Sequence, residues 1–383
     1  MTDGAFEAPR LGFLCNWDPE PQRTWSGSAW HLYRALADVS DTVDVGVRLP
    51  VPVRRALQVM GLRRRASEWV SRWEYTQGWE TYLARTGARR VRHSGCDAVI
   101  EIQDVAALDV PFFLYQDFSY DALAAEFADP TSGARTFFRS LDSATFERRR
   151  RRQREIYARA AGVFAMSSWL AKSLVDDSGL PSEKVHLAPP GATSLEAAEG
   201  ADSDPPPRPG PRTRLLFVGT TFAAKGGDLV VEALSLLRMQ VPNITLTVAG
   251  PSAWPLPGEP PAGVHFAGRV ARSELISLYD RHDLLVMPSR LEGFGIVFVE
   301  ALGRGLPCIG RRAFAMPELI QPGRNGGLLD SDDPAALAQL VLGVLSDDAI
   351  YESTRAERKG VLERYTWART ARLVLDVVQS ALA

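Results

Sequence analysis

Glu292 and Glu300 are separated by seven intervening residues in the stretch PSRLEGFGIVFVEALGRGLP, and the turn Gly293-Phe294-Gly295 lies between them. Leu284 to Met287, just upstream, is an apolar run of strand length, and Ile296 to Leu302, downstream, is apolar apart from Glu300. The pattern reads as strand, tight glycine turn and helix. A helix that starts near Gly295 aims its first backbone N–H groups, which have no partner inside the helix, at whatever occupies the turn. Helical side chains lean back toward the N-terminus, so Glu300, in about the second turn, reaches the same space as Glu292. Donors for an anion beside two acceptors for hydroxyls meet the requirements of a phosphorylated sugar. Out of context, the same pair fits a surface residue before a turn and a salt-bridged residue on a helix.

A second glycine turn lies upstream. Arg214 to Gly219 (RLLFVG) reads as a strand, Thr220 to Gly227 (TTFAAKGG) as a loop and Asp228 to Met239 as a helix. The loop has neither the G-x-G-x-x-G of dinucleotide folds nor the Gly-Lys-Ser/Thr of a P-loop. That absence argues against a nicotinamide-dependent oxidoreductase. Lys225 by itself reads as a solvated loop lysine.

The stretch around Glu292 and Glu300 closely resembles the signature of retaining glycosyltransferases of family 4, which have the GT-B fold. The resemblance implies an α/β chain of two Rossmann-like domains with parallel sheets facing across a cleft. It implies transfer of a hexose-type sugar, with retention, from a nucleotide diphosphate sugar (UDP-, GDP- or ADP-linked) to an unidentified acceptor, without cofactor or metal. Glu292 would hold the sugar hydroxyls and Glu300 the ribose. Gly293, Phe294, Gly295 and Ile296 would offer backbone to the diphosphate. Lys225, in a loop similar to the family's VG…KG turn that begins at Gly219, would neutralise the leaving group. Gly268, Arg269 and Val270 would meet the nucleobase. On the acceptor side, Ser26 and Gly27 follow the first strand, and Asp117 ends a later one; with Glu292 and Lys225, Asp117 completes the expected catalytic set. Thr220 departs from the pattern, because many members carry an arginine there.

These residues need two βα halves to position them. In the first, Leu11 to Cys15, Val43 to Leu49, Asp97 to Gln103, Pro111 to Asp117, Gly162 to Ser167 and Lys184 to Ala188 read as strands. Ala29 to Ala37 reads as a helix with Ser26 or Ser28 as N-cap. Asp117 would face a ligand at a strand's carboxyl end or cap the helix Ala122 to Phe127. Trp17 and Trp25 pack their loop or offer a sugar-stacking surface. Val51 to Arg89 is helical in tone, basic, and holds Trp69 and Trp73; Leu141 to Ala161 is a helix with the run ERRRRRQRE. Both read as solvated faces, with weak contact to an anionic membrane surface as the alternative. The Pro- and Gly-dense residues 197–212 read as a linker between domains 1–196 and 213–365, with a last helix, 366–383, packing back on the first.

Composition bounds the classes. A chain of 383 residues makes about two domains. Its 45% hydrophobic and 23% charged content is that of a globular protein, and a net charge of −2 does not suit a nucleic-acid binder. Cys15, Cys96 and Cys308 lie in or beside apolar runs, which suggests reduced thiols and a cytoplasmic setting; the start MTDGAFEAPR does not read as a signal peptide. Two other functions fit the pattern: a sugar-nucleotide epimerase of the same fold, or a non-catalytic sugar-nucleotide-binding protein, which Thr220 would favour. Oligomeric state is not legible.

Overall fold

The structure is a computed structural model that describes residues 9–65, 68–130, 132–138, 140–192 and 210–383. Most of the expected linker, 197–212, lies outside the described residues. The chain divides into two compact units: Met1–Ala128 with Phe138–Gly191 and Trp367–Ala383, and Asp129–Phe137 with Ala192–Thr366. The short segment Asp129–Phe137, read from sequence as part of the first half, thus belongs to the second unit.

The first unit begins with β1 (Leu11–Leu14), β2 (Asn16–Trp17), α1 (Ser28–Ala37), β3 (Thr42–Asp44) and β4 (Val47–Arg48). The single strand expected over Val43 to Leu49 is broken. The Asp44 carboxylate accepts from Gly46 N at 2.8 Å and Trp17 Nε1 at 2.7 Å, and this turns the chain so that β4 pairs with β2 instead. Trp17 is therefore a packing residue, 3% exposed. Val51 to Arg89 also divides. It forms α2 (Val51–Met60), the antiparallel hairpin β5 (Leu62–Arg65) and β6 (Glu68–Ser71), and α3 (Gln77–Ser94). Gly61 follows the last turn of α2, and its carbonyl takes Arg72 N at 3.0 Å to close the hairpin.

Then come β7 (Ala98–Ile102), β8 (Phe112–Gln116), α4 (Ser143–Arg159), β9 (Gly162–Ala165), α5 (Ser168–Asp176) and β10 (Val185–Leu187). Strands β7, β8 and β9 are buried along their whole length, as a sheet covered on both faces requires. The sheet order is β10-β9-β8-β7-β1-β3, with every pair parallel. The order reverses direction between β1 and β7, which is where doubly wound sheets place ligands, beyond the carboxyl ends of the strands.

The second unit contains β11 (Arg214–Val218), α6 (Gly227–Gln240), β12 (Thr245–Ala249), β13 (Val264–Gly268), α7 (Arg272–Arg281), β14 (Leu284–Val286), α8 (Ile296–Gly303), β15 (Cys308–Arg311), β16 (Gly326–Leu329), α9 (Pro334–Ser346) and α10 (Asp348–Arg364). The parallel sheet runs β13-β12-β11-β14-β15-β16, the Rossmann order, and switches between β11 and β14. The last helix, α11 (Trp367–Leu382), lies in the first unit. Its Trp367 ring stacks on His31 of α1 at 6.3 Å, and Thr370 Oγ1 donates to Pro189 O at 2.5 Å. Cys15, Cys96 and Cys308 are free and buried. Among the described residues, no helix is long and apolar enough to cross a membrane.

The arginine run on α4 is a solvated face only in part: Arg151 and Arg154 are exposed, but most of the run is paired. Arg148 and Arg149 pair with Glu80, Arg150 and Arg154 with Asp121, and Arg152 with Asp104 and the carbonyls of Asp104 and Val105. The Asp121 side chain is only 1% exposed. Burial pushes its carboxyl up, but bonds from Arg154 and Arg150 outweigh that and hold it below the ordinary range. Exposed pairs contribute about 0–1 kcal/mol, whereas removing one partner of a buried pair costs about 3–5 kcal/mol. The run is therefore structural.

Glu101, on β7, is fully buried. Burial raises its carboxyl from 4.5 to about 8; the bond from Ala106 N, at 3.0 Å, and the Arg152 charge oppose this, while Asp104 adds to it. The native state thus holds a proton that the unfolded chain releases above about pH 4.5. Stability is full below that pH and declines by a few kcal/mol as pH rises toward 8. Glu101→Gln, whose amide oxygen can keep the Ala106 bond, should flatten the fall of melting temperature across this window. A variant curve as steep as the wild-type one would refute the assignment.

Candidate active site

At the switch of the second sheet, the strands end in two loops that the sequence keeps tight. After β11, Lys225 N donates to Thr221 O at 3.0 Å and Gly227 N to Phe222 O at 2.9 Å, so residues 219–226 fold back on themselves. Gly226, at φ 76°, caps α6; a Cβ there would stand 2.6 Å from Pro288 O, in the loop after β14. Only glycine permits both the left-handed backbone and that approach. After β14, Gly295, at φ 95°, caps α8 in the same manner. Neither helix has a side chain capping its N-terminus, so both present first-turn N–H donors and the positive end of a dipole.

Between these helix ends, Lys225 Nζ donates to Glu292 Oε2 at 2.9 Å and to Leu291 O at 3.1 Å. Ser289 Oγ donates to the same Oε2 at 3.3 Å. Two of the three ammonium hydrogens are thereby used and one remains; Glu292 Oε1 bonds to no described residue. The side chains are 18% and 10% exposed, buried enough to be held and open enough to meet a ligand. Glu300, on the second turn of α8, is 3% exposed, and Tyr279 OH of α7 donates to its Oε2 at 2.9 Å. Gly293, Phe294 and Gly295 are buried and Ile296 is half-buried; the Phe294 ring lies 5.9 Å from Tyr365.

Arg290 binds the two loops together, and nothing in its sequence context announces this. Its N donates to Ala224 O at 2.8 Å, its Nη1 to Ala223 O and Asp228 Oδ1 at 2.7 Å each, and its Nε to Asp332 Oδ2 at 3.0 Å. Arg311 also pairs with Asp332. Gly133, from the segment shared with this unit, abuts the Arg290 carbonyl; a Cβ there would lie 2.2 Å from that oxygen. Thr220 is exposed. The carboxyl ends of β11, β12 and β13 adjoin through backbone: Gly219 N donates to Ala249 O at 2.9 Å and Gly250 N to Gly268 O at 2.7 Å. Arg269, next along, is exposed.

The residues expected on the acceptor side lie on the first unit's own carboxyl edge. Trp25, Ser26 and Gly27 all have positive φ, at 51°, 58° and 96°, a conformation two non-glycine residues adopt only when their surroundings impose it. Neither expected serine caps α1; Gly27 stands at the N-cap without a side-chain bond. Trp25 meets Tyr115 of β8 edge-on at 6.1 Å, bringing this loop to the strand that Asp117 follows. Asp117 is half-buried; two residues on, Ser119 Oγ accepts Ala122 N at 3.0 Å, and the next helix spans only Ala124–Ala128. At the end of β7, Gln103 and Asp104 also have positive φ, 71° and 40°. The sequence reading did not find these strained positions, since neither residue type signals them.

Known proteins resemble this chain in sequence and in fold. The family described as "Glycosyl transferases group 1" matches residues 200–360. The chain is 30% identical over 238 residues to glycogen synthase from Mycobacterium tuberculosis, covering 57% of each chain. It is 28% identical over 248 residues to D-inositol 3-phosphate glycosyltransferase from Xylanimonas cellulosilytica, covering 60% of this chain and 59% of the other. The chain spans a little over half the length of these relatives. In structure, it resembles sucrose-phosphate synthase from Thermosynechococcus elongatus (TM-score 0.67, 17% identity, covering 97% and 98%). It also resembles Anabaena HepE, solved with UDP and glucose (TM-score 0.64, 15% identity, covering 97% and 100%). Residues 200–360 thus match the group 1 glycosyl transferases, and the two units, each built on a parallel six-stranded sheet, have the GT-B fold of these solved structures.

Proposed function

We propose that the chain is a retaining glycosyltransferase that moves a hexose-type sugar from a nucleotide diphosphate sugar to an acceptor bound by the first unit. The observation that carries this reading is the Lys225–Glu292 contact of 2.9 Å between two uncapped helix N-termini at the sheet's switch point. Breaking the anomeric bond builds positive charge on the sugar and negative charge on the departing diphosphate, and fixed charges answer both without reorganising. The remaining ammonium hydrogen of Lys225 and the first-turn amides of α6 and α8 face the leaving phosphate; each helix end contributes about 0.3–1 kcal/mol toward an anion. Glu292 Oε1 takes sugar hydroxyls. Glu300, steadied by the Tyr279 phenol, takes the ribose. Backbone at Gly268 and Arg269 adjoins the base. Ser26, Gly27 and Asp117 serve the acceptor. No cofactor is required. The comparisons give no support to the epimerase alternative.

Arg290 is a positioning residue in this reading. Where many similar enzymes carry an arginine, Thr220 has no charge to offer, and the guanidinium tied to this loop is already committed to Asp228, Asp332 and Ala223 O. It keeps the Lys225 loop and the Glu292 turn in register.

Glu292→Ala and Lys225→Ala should each lower turnover about a hundredfold or more with the fold intact; near-normal activity in either would sink the site. Thermal-shift titration with UDP, GDP, ADP and their sugars should pick one base, through stabilisation that rises with ligand concentration. Arg290→Ala should weaken binding of that nucleotide by about tenfold and lower the melting temperature by a few degrees. Arg290→Lys, which keeps charge but loses the bridging fork, should recover little. Full recovery by lysine would mean that Arg290 acts by charge alone.

A further inference from the structure

The second helix and the hairpin that follows it break the ordinary rule for a surface. No residue of α2 is buried, and it is held at its half-buried positions, Arg54, whose Nη1 reaches Asp18 Oδ2 at 2.7 Å, and Leu57, which packs on the core. The rest of the helix faces solvent with apolar side chains. Val59 is 67% exposed, Met60 73% and, on the hairpin, Trp69 67%; Val51, Val53 and Leu62 are exposed beside them. Six of the eleven exposed large hydrophobic residues among the described ones fall between positions 51 and 69. Soluble proteins rarely leave such a cluster uncovered, and contiguous exposed apolar patches rimmed by polar residues mark interaction sites.

Charge indicates what binds. Residues 51–72 contain six arginines and one acid, Glu68, in a chain whose net charge is −2. Among the described residues no carboxylate is bonded to Arg55, Arg63 or Arg64. Between helix and hairpin lies a groove of about 640 Å³ whose lining includes Arg54, Arg55, Gln58, Leu62, Trp73 and one acid, Glu74. Guanidinium groups beside exposed valine, methionine and tryptophan match the phosphate-to-acyl boundary of a lipid layer, where arginine meets phosphate and tryptophan sits at headgroup depth. A second copy of the same face is disfavoured, since it would set arginines against arginines.

We propose that α2 and the β5–β6 hairpin dock this chain on an anionic lipid bilayer. The basic run on α4, the other candidate for such contact, is committed to buried carboxylates.

The test is sedimentation of the full chain with vesicles of phosphatidylglycerol and phosphatidylcholine, and with phosphatidylcholine alone. The wild type should pellet with the mixed vesicles and stay soluble with the neutral ones. Neutralising Arg63 and Arg64 together (Arg63→Gln, Arg64→Gln) should weaken partitioning on the order of 30-fold. The combined Val59→Ser, Met60→Ser and Trp69→Ser variant should lose binding, whereas Met239→Ser, an equally exposed methionine on the second unit, should match the wild type. All these side chains are exposed, so unchanged melting curves should accompany the losses. No wild-type binding to anionic vesicles, equal binding by both variants, or equal loss with Met239→Ser would overturn the proposal. So would a lipid-free dimer that the triple substitution dissolves without any vesicle binding.

Discussion

An ammonium held between two loops is the constraint on which the chemistry proposed for the second unit depends. Lys225 contributes only if its chain is aimed across the sheet's switch point, and Glu292 only if its turn stays within reach. Bonds from Nζ to Glu292 and Leu291 set the first condition. The second is met by backbone: Gly226 lets the α6 loop approach Pro288, and Arg290 bonds across to Ala223, Ala224 and Asp228. In an interior of low polarity an unpaired charge is costly, so the pair also explains how two ionised groups persist with 18% and 10% of their side chains exposed.

The first unit solves a different problem. Its carboxyl edge has four non-glycine residues in left-handed conformations, Trp25, Ser26, Gln103 and Asp104, each costing of the order of 1–3 kcal/mol. Beneath them, α4 directs its arginines inward to Glu80, Asp104 and Asp121. An ionic layer of this kind fixes geometry more than it adds stability, because desolvation consumes most of the attraction. Rigid support under strained loops is the arrangement expected where loops must hold a shape without ligand contacts to help them.

Much of this was legible before any coordinates. The apolar runs ending at Val218 and Val286, and the glycines after them, gave strands, turns and helices nearly at their observed bounds, because period and turn chemistry agree there. The misreadings have physical causes. Asp44 bends a strand through bonds to Gly46 and Trp17 that no local pattern encodes. The basic stretch after Met60 becomes a hairpin, since a run of arginines carries no periodicity to distinguish helix from strand. The ERRRRRQRE run looked solvated because its partners, Glu80, Asp104 and Asp121, are distant in sequence or unremarkable where they stand. Arg290 was invisible for the same reason: its role lies in what it reaches, not in its neighbours.

The path of the chain has a consequence for inheritance. It passes between the units at Ala128, Phe137, Gly191 and Thr366, so neither is a single continuous piece. A gene cut after Gly191 would encode a first unit without Trp367, leaving His31 unstacked and Pro189 O without its hydroxyl. Recombination that swaps one half for another must therefore carry the tail with the head. Exchange of the second unit between relatives is confined to crossovers that preserve the first unit's three separated stretches.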